Sequence, residues 1–288
     1  MTMHNGEQPS EVFVLGSGRS GTTIVLHALA CLDGVIAVPR LAGRAAWTAP
    51  LSSRMVRYGV GPSAWTRPSS ESTALFTEAG LTQAFQSRVG RSIGPDDAGS
   101  LDMGVLWHRL QQIRHHGGAR TAAVKNTASC GRVPVLADTF PDAAFVHVVR
   151  RPTTVVLSML ATDFWYDMTL WWDGRTTQRY AQDEDLSHER VAARHWARQV
   201  AIAMADLQRC APSRAVQVQY EQFVDDPRGQ LEQMQGVGLS MGTQSGLRRS
   251  LEDLGIKVES ARRDIPGAVL AAVESECSEV AERWGVSL

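Results

Sequence analysis

Lysine is nearly absent from this chain, because Lys125 and Lys257 are the only lysines among 29 basic residues. Arginine supplies the rest, a bias that a GC-rich genome produces on its own, so the arginine count says little about function. The 29 basic and 30 acidic residues give a formal net charge of -1. A chain without a charge excess has no global field that attracts nucleic acid or anionic lipid. We therefore expect no nucleic-acid partner, and any anion site has to be local.

Paired cysteines and long apolar runs are also missing. The four cysteines are far apart in sequence, with no C-x-x-C pair and no histidines at zinc-ligand spacing. This pattern predicts reduced, structural thiols and no metal site. No run approaches the roughly 18 apolar residues of a membrane span, and the polar segment 1–10 lacks the apolar core of a signal peptide. We expect a cytoplasmic protein without a membrane partner.

The residues that are present have the composition of a globular protein, with 43% hydrophobic and 20% charged residues. Disordered chains are poorer in apolar residues, so that class is excluded. A length of 288 residues permits one large α/β domain or two small domains. No internal repeat or linker divides the chain. We therefore expect a disordered segment at 1–10 and a single domain over 11–288.

Short apolar runs alternate with segments of helical periodicity along most of the chain. The runs predict strands at 12–15, 35–38, 122–125, 143–149 and 215–218. The periodicity predicts helices at 22–32, 73–88, 101–115, 186–210 and 268–284, and a further helix starting at Pro152. Irregular structure or short helices are expected at 39–72, and a loop or cap at 163–182. This alternation predicts a doubly wound α/β domain with a central parallel sheet of about five strands flanked by helices.

A glycine-rich loop, GSGRSGTT at residues 16–23, joins the first strand to the first helix. Backbone N–H groups and the helix dipole converge on an anion at such a turn. The glycine spacing is that of a Walker A loop, but Thr22 stands where that loop carries its phosphate-binding lysine. An ordinary ATPase or GTPase is therefore disfavoured. The cation lies inside the loop instead, at Arg19.

This loop resembles the 5′-phosphosulfate loop of the sulfotransferases that use 3′-phosphoadenosine 5′-phosphosulfate (PAPS). The resemblance implies a fold similar to that of P-loop NTPases. Family members carry lysine or arginine at the position of Arg19, usually after a proline, whereas Gly18 precedes it here. The resemblance implies that Arg19 is catalytic and offsets charge on the leaving phosphate and the sulfuryl oxygens. It also implies a donor site formed by Gly18, Arg19, Ser20, Gly21, Thr22 and Thr23.

A second motif, FVHVVRRP at residues 145–152, resembles the family's 3′-phosphate site, with Ser158 standing eight residues after Arg150. A guanidinium at the carboxyl end of a strand suits a phosphate dianion, and the following helix N-terminus adds a favourable dipole. The resemblance implies that Arg150 and Ser158 bind the donor. Weaker matches, including Trp196 and Tyr220, extend the resemblance over roughly residues 11–230, and Tyr220 joins the implied donor site.

Lys125 ends the third strand and resembles the family's lysine near the transferring group, which implies a catalytic role. The family's acceptor base is usually histidine or glutamate, but the corresponding places hold Thr127 and Val124, neither of which accepts a proton at neutral pH. His147 lies inside a strand and is expected to be packed in the core. Four candidates for the base remain unranked, and they are Glu71, Asp163, Asp167 and His27.

Two further features have alternative interpretations. Aromatic residues in the two irregular segments either line an acceptor pocket or pack as a cap. These residues are Trp47, Trp65, Phe164, Trp165, Tyr166, Trp171 and Trp172. Arg262 and Arg263 either cover the 3′-phosphate, as a late loop does in the family, or form a solvated basic pair.

The resemblance implies an enzyme that moves a sulfuryl group from PAPS to a hydroxyl of a small-molecule or carbohydrate acceptor, without a metal. Two alternatives stay open. The missing histidine and glutamate are compatible with a PAPS- or nucleotide-binding protein that has no turnover. A nucleotide kinase with a degenerate Walker A loop is less favoured, and it would require Mg²⁺ and ATP.

Overall fold

A five-stranded, fully parallel sheet forms the centre of the molecule. The computed structural model describes residues 8–87, 90–240 and 264–288. The strand order is β2-β3-β1-β4-β5. The strands are β1 (Glu11–Leu15), β2 (Val35–Ala37), β3 (Thr121–Lys125), β4 (Ala144–Val149) and β5 (Ala215–Gln219). The predicted doubly wound α/β fold with about five parallel strands is confirmed.

Fifteen α-helices lie in the described part of the chain. Those before β3 are α1 (Thr22–Leu29), α2 (Arg40–Arg44), α3 (Ala49–Tyr58), α4 (Ser63–Thr66), α5 (Thr73–Glu78), α6 (Leu81–Ser87) and α7 (Met103–Gly117). The later ones are α8 (Val133–Thr139), α9 (Pro152–Leu160), α10 (Phe164–Asp167), α11 (Thr177–Asp183), α12 (His188–Cys210), α13 (Tyr220–Asp225), α14 (Pro227–Gln233) and α15 (Gly267–Trp284). Short 3-10 helices are Ala46–Thr48, Pro95–Ser100, Thr127–Gly131 and Met234–Val237.

The central strand β1 is buried on both faces, which explains its continuous apolar sequence. Phe13 and Leu15 face one core with α5, α7, α8 and the end of α12. Val12 and Val14 face a second core with α1, α13 and α14. Because side chains alternate along a strand, one run of apolar residues supplies both cores. The sheet is therefore the middle of three layers.

A third core joins α9, α12 and α15 with the segment that contains α10 and α11. Glu276 on α15 accepts hydrogen bonds from Arg190 and Arg194 on α12, at 2.7 to 3.0 Å. These bonds hold the Glu276 carboxylate and keep its pKa below its ordinary value, although burial opposes that shift. The last described helix is thus attached to the long helix α12 by both apolar packing and ion pairs.

One of the predicted helices was wrong in detail. The helix predicted at 73–88 is divided into α5 and α6, because Gly80 has a φ of 78° and ends the first of them. The segment 39–72 contains short helices, as expected, and the longest of them is the ten-residue helix α3, which has Pro50 in its first turn and ends at Gly59 with a φ of 63°. His147 is fully buried in β4, as predicted, and burial lowers its pKa to about 4.

No helix in the described ranges combines the length and apolarity needed to cross a membrane. The same ranges hold no group of three histidine, cysteine, aspartate or glutamate residues placed to bind a metal ion. All four cysteines lie in the described part and form no disulfide there. Burial raises the pKa of the Cys130 thiol to about 12, so that thiol stays protonated at neutral pH.

Candidate active site

The carboxyl ends of the five strands meet at one edge of the sheet, and the predicted site residues lie there. Val14 of β1 is in register with Lys125 of β3, and Leu15 is in register with His147 of β4. Neighbouring strands are about 4.8 Å apart, so the loop after β1 lies between the end of β3 and the end of β4. The edge therefore brings together residues that are more than a hundred positions apart in sequence.

Gly16 begins the loop at a point where only glycine fits. A Cβ atom at this position would lie 2.3 Å from the carbonyl oxygen of Val148, and the φ of Gly16 is 157°. The absent side chain lets the loop lie directly against the end of β4. The first motif thus contacts the second through the backbone.

Arg19 forms the central contact of the site. Its φ is 69°, a left-handed conformation that is rare for a residue with a side chain. Its Nε donates to the Oγ of Ser158 at 2.9 Å, and its carbonyl oxygen accepts from Nη1 of Arg150 at 3.1 Å. Strained backbone of this kind is concentrated at functional sites. The structure therefore brings the loop cation and the second motif together.

Tyr220 lies under the loop, at the end of β5. The Arg150 guanidinium is 4.5 Å from the centre of the Tyr220 ring, a cation–π distance. A Cβ atom at Gly21, whose φ is 87°, would lie 2.1 Å from Cδ2 of the same ring. Trp196 on α12 donates from Nε1 to the carbonyl oxygen of Arg150 at 3.2 Å. These contacts fix the backbone and the guanidinium of Arg150.

Several polar groups around the loop lack partners among the described residues. The buried hydroxyls of Ser17 and Ser20 and the Nε of Arg150 have none. No side chain caps the start of α1, whose first N–H groups have no acceptor within the helix. Thr22 is buried and Thr23 half-buried in that first turn. A buried polar group without a partner is costly, so this cluster of donors fits an anion such as a phosphate.

Lys125 is buried at the end of β3, with 4% of its surface exposed, and its ammonium group contacts Oε1 of Glu71. The other carboxylate oxygen of Glu71 accepts from the backbone N–H of Thr127 at 3.1 Å. The carbonyl oxygen of Lys125 accepts from the backbone N–H of Ser72 at 3.1 Å. Two neighbouring residues before α5 are thus held at the end of β3. Of the four candidate bases, Glu71 is the one that contacts Lys125.

The other three candidates lie elsewhere. Asp163 immediately precedes the short helix α10 and Asp167 is its last residue, and both are exposed. His27 is half-buried in α1, and burial together with the nearby charge of Arg67 lowers its pKa. Sequence alone left the four equivalent, because nothing in the local pattern around Glu71 indicates its contact with Lys125.

An open cavity of about 690 Å³ adjoins the Glu71 carboxylate. Its lining includes Glu71, Glu78, Ala74, Arg44 and Trp47, the last of which has 73% of its surface exposed. The remaining aromatic residues do not form one pocket. Trp165 and Trp172 are buried in the third core, with the Trp165 ring 5.6 Å from that of His195. For these two residues, cap packing is the interpretation that the structure supports.

Two further residues near the site make contacts that the sequence did not indicate. Glu221 accepts from the backbone N–H of Arg151 at 3.1 Å and so joins the end of β5 to the start of α9. Arg132 is buried beside Glu71, donates to Asn126 Oδ1 at 3.1 Å, and has its pKa lowered to about 10 by burial. Glu221 follows Tyr220 in one of the weaker family matches, whereas Arg132 has no sequence signal beyond its charge. Arg262 and Arg263 lie outside the described residues.

A model of the sulfotransferase family matches residues 9–237. Among solved structures, the chain is similar to sulfotransferase STF9 from Mycobacterium avium, with a TM-score of 0.56 and 14% identity over 98% of this chain and 78% of that chain. It is also similar to a sulfotransferase domain from the curacin biosynthetic pathway, with a TM-score of 0.50 and 16% identity over 98% of this chain and 99% of that one. At these identities the two structures support the fold alone. No curated protein matches the chain significantly.

Proposed function

Because the chain belongs to the sulfotransferase family, we propose that it transfers a sulfuryl group from PAPS to a hydroxyl acceptor, in one domain over residues 11–288. The observation that carries the proposal is the junction of two anion-binding motifs at one sheet edge. Arg150 donates to the Arg19 carbonyl oxygen, and Arg19 donates to Ser158. A donor with phosphates at both the 5′ and 3′ positions needs two such motifs side by side, whereas ATP needs only one.

The loop after β1 is the proposed 5′-phosphate site. Its donors are the first-turn N–H groups of α1 at Thr22 and Thr23, the N–H of Gly21, and the buried hydroxyl of Ser20, while Gly18 gives the backbone room. The helix dipole adds a favourable field for a negative group at this end of α1. These groups fit the 5′ end of PAPS without a metal ion.

Arg150 is the proposed partner of the 3′-phosphate. A guanidinium donates two parallel hydrogen bonds to phosphate oxygens, a geometry that an ammonium cannot provide. The Tyr220 ring holds the guanidinium, and the Trp196 bond to the carbonyl oxygen holds the backbone of Arg150. Both act before a ligand arrives, which reduces the entropy lost on binding. Ser158 and the N-terminus of α9 face the same region. Thr22 stands where a Walker A loop has its lysine, and this replacement is consistent with PAPS as the ligand and not with ATP.

Sulfuryl transfer is an in-line displacement with a loose transition state, by analogy with phosphoryl transfer, so charge stabilisation and positioning supply most of the rate. PAPS supplies the activated sulfuryl group. Arg19 offsets the charge that grows on the leaving phosphate and on the sulfuryl oxygens, and Lys125 does so from the β3 side. Arg19 lies in the loop after β1, and Lys125 lies at the end of the neighbouring strand β3.

The test is an assay of the purified chain with PAPS and a panel of phenols and methyl glycosides in the presence of EDTA. We expect release of 3′-phosphoadenosine 5′-phosphate (PAP) together with a sulfated acceptor identified by mass spectrometry. PAP binding without any transfer or release would favour the alternative of a binding protein without turnover. Phosphate transfer from Mg-ATP would instead favour the kinase alternative.

A further inference from the structure

We propose that Glu71 accepts the proton of the acceptor hydroxyl, and that the acceptor reaches it through the cavity that Glu71 and Trp47 line. This inference rests on the proposed function and identifies the base that the motifs left open. It assigns the role to a residue between β2 and β3 that no sequence motif marks.

The hydrogen bonds of Glu71 hold its carboxylate in one place and leave part of it available. The Lys125 ammonium donates to one carboxylate oxygen, and the Thr127 N–H donates to the other. A carboxylate has about four lone-pair sites, so an incoming hydroxyl still finds an acceptor. The side chain is 39% exposed, and it borders the cavity. A fixed and accessible carboxylate is what a general base requires.

Glu71 also lies close to the place where the proposed reaction would occur. Lys125 lies beside Val14, two residues before the loop begins at Gly16. A group in contact with Lys125 is therefore next to the proposed donor site and on the cavity side of it. Asp163 and Asp167 are exposed on α10, which follows the 3′-phosphate helix α9 on the other side of β1.

The transfer moves one sulfuryl group and one proton. The acceptor oxygen forms a bond to sulfur, and the bond between sulfur and the 5′-phosphate oxygen breaks with its electron pair going to the leaving PAP. The hydroxyl proton passes to Glu71. As the carboxylate is neutralised, its ion pair with Lys125 weakens, and the ammonium becomes available to the oxygens on which charge is growing. Proton transfer and charge stabilisation are coupled through one contact.

The cavity points to the class of acceptor. Trp47 presents an exposed indole in its wall, beside Ala46 and Ala74. Flat aromatic surfaces stack against the apolar faces of rings, while the carboxylates and Arg44 at the wall suit polar substituents. We therefore assign the cavity to a hydroxyl carried on a ring. Phenols and sugars share this chemistry, and the assay separates the two.

The experiment compares Glu71→Gln with Asp163→Asn, which makes the same chemical change at an exposed aspartate whose side chain caps no helix. The acceptors are phenol, the more acidic 4-nitrophenol, and methyl glucoside, and PAP affinity is measured by calorimetry. Loss of a general base typically costs about 10² to 10⁴ in rate. We expect Glu71→Gln to lower kcat at least 100-fold with phenol and markedly less with 4-nitrophenol, because an acidic hydroxyl needs less help from a base.

PAP affinity should be unchanged in both variants, and Asp163→Asn should transfer at the wild-type rate. An equal loss with both phenols would show that Glu71 only positions Lys125 and would overturn its role as the base. Full activity of Glu71→Gln, or loss of activity in Asp163→Asn, would also overturn it. A wild-type chain that binds PAP but transfers to none of these rings would overturn the assignment of the cavity. Failure of the wild-type chain to bind PAP would instead refute the proposed function itself.

Discussion

The Nε of Arg19 donates a 2.9 Å hydrogen bond to the Oγ of Ser158, which joins the loop after β1 to the second turn of α9. The two residues are 139 positions apart in sequence. This bond directs the loop cation towards the second motif, and the left-handed backbone of Arg19 supports that direction. One side chain therefore connects the two halves of the proposed donor site.

The first prediction concerns Arg150→Ala and the 3′-phosphate. Hydrogen bonds to charged groups contribute about 1.5–3 kcal/mol each, so we expect PAP affinity to fall by roughly 30-fold or more. Affinity for AMP, which lacks the 3′-phosphate, should change little. Calorimetry with both ligands measures the difference, and thermal unfolding checks that the variant is folded, because Arg150 also supports the Arg19 carbonyl. An equal loss for PAP and AMP would contradict the assigned role.

The second prediction concerns the loop cation. Glycine at position 19 adopts the φ of 69° without strain, so Arg19→Gly removes the guanidinium while keeping the loop backbone. We expect kcat to fall by about 10²–10³, the usual loss when one donor to developing charge is removed, and PAP affinity to fall by less than about tenfold. Arg19→Lys should recover part of the rate. A rate unaffected by Arg19→Gly would remove the catalytic role.

The third prediction tests the packing of Tyr220 under the loop. In Gly21→Ala the new Cβ would overlap the Tyr220 ring, which cannot move away freely because Arg150 stacks on it. Positive φ and overpacking together should destabilise the fold by about 2–4 kcal/mol. Gly18→Ala is the matched control, since its Cβ would meet only Met159 Cε at 3.8 Å. Denaturation in urea should separate the two variants, and equal stabilities would contradict the packing described.

The fourth prediction concerns stability against pH. Burial lowers the pKa of His147 and His195 to about 4, below the ordinary value of 6.5. The unfolded chain therefore takes up protons that the folded chain cannot, and stability falls as the pH drops from 6.5 towards 4. The expected loss at pH 5 is about 2 kcal/mol for each histidine. Urea denaturation at pH 7 and pH 5 measures it.

His195→Gln supplies the control for that measurement, because it should remove about 2 kcal/mol of the loss between pH 7 and pH 5. The carboxyl groups whose pKa values are lowered by arginine partners, such as Glu78 and Asp173, titrate below this window. A wild-type chain equally stable at pH 5 and pH 7 would show that the two histidines are not buried in the neutral form.

The sheet could be predicted from the sequence, and the two motifs could be located in it, because both depend on local signals. A buried parallel strand is a short apolar run, and a phosphate loop is a fixed spacing of glycines. The order of the strands was not predicted, since it depends on which crossovers pass over β1. The break at Gly80 was missed because an isolated glycine is compatible with both a continuous and an interrupted helix.

The proposed acceptor side of the site could not be predicted from the sequence for a different reason. Glu71 and Lys125 are 54 positions apart, and their contact exists only because the segment before α5 returns to the end of β3. No motif carries that information. The aromatic residues lie in similar sequence segments but in different parts of the structure. Only the structure distinguishes the exposed Trp47 from the buried Trp165 and Trp172.

The most direct test of the account is a calorimetric titration of the wild-type chain with PAP in the presence of EDTA, with AMP and Mg-ATP as the comparisons. We predict tight binding of PAP without a metal, and an affinity for AMP that is lower by roughly 30-fold or more because the 3′-phosphate is missing. Failure to bind PAP, or a preference for Mg-ATP, would contradict the assignment of both anion motifs to a PAPS site.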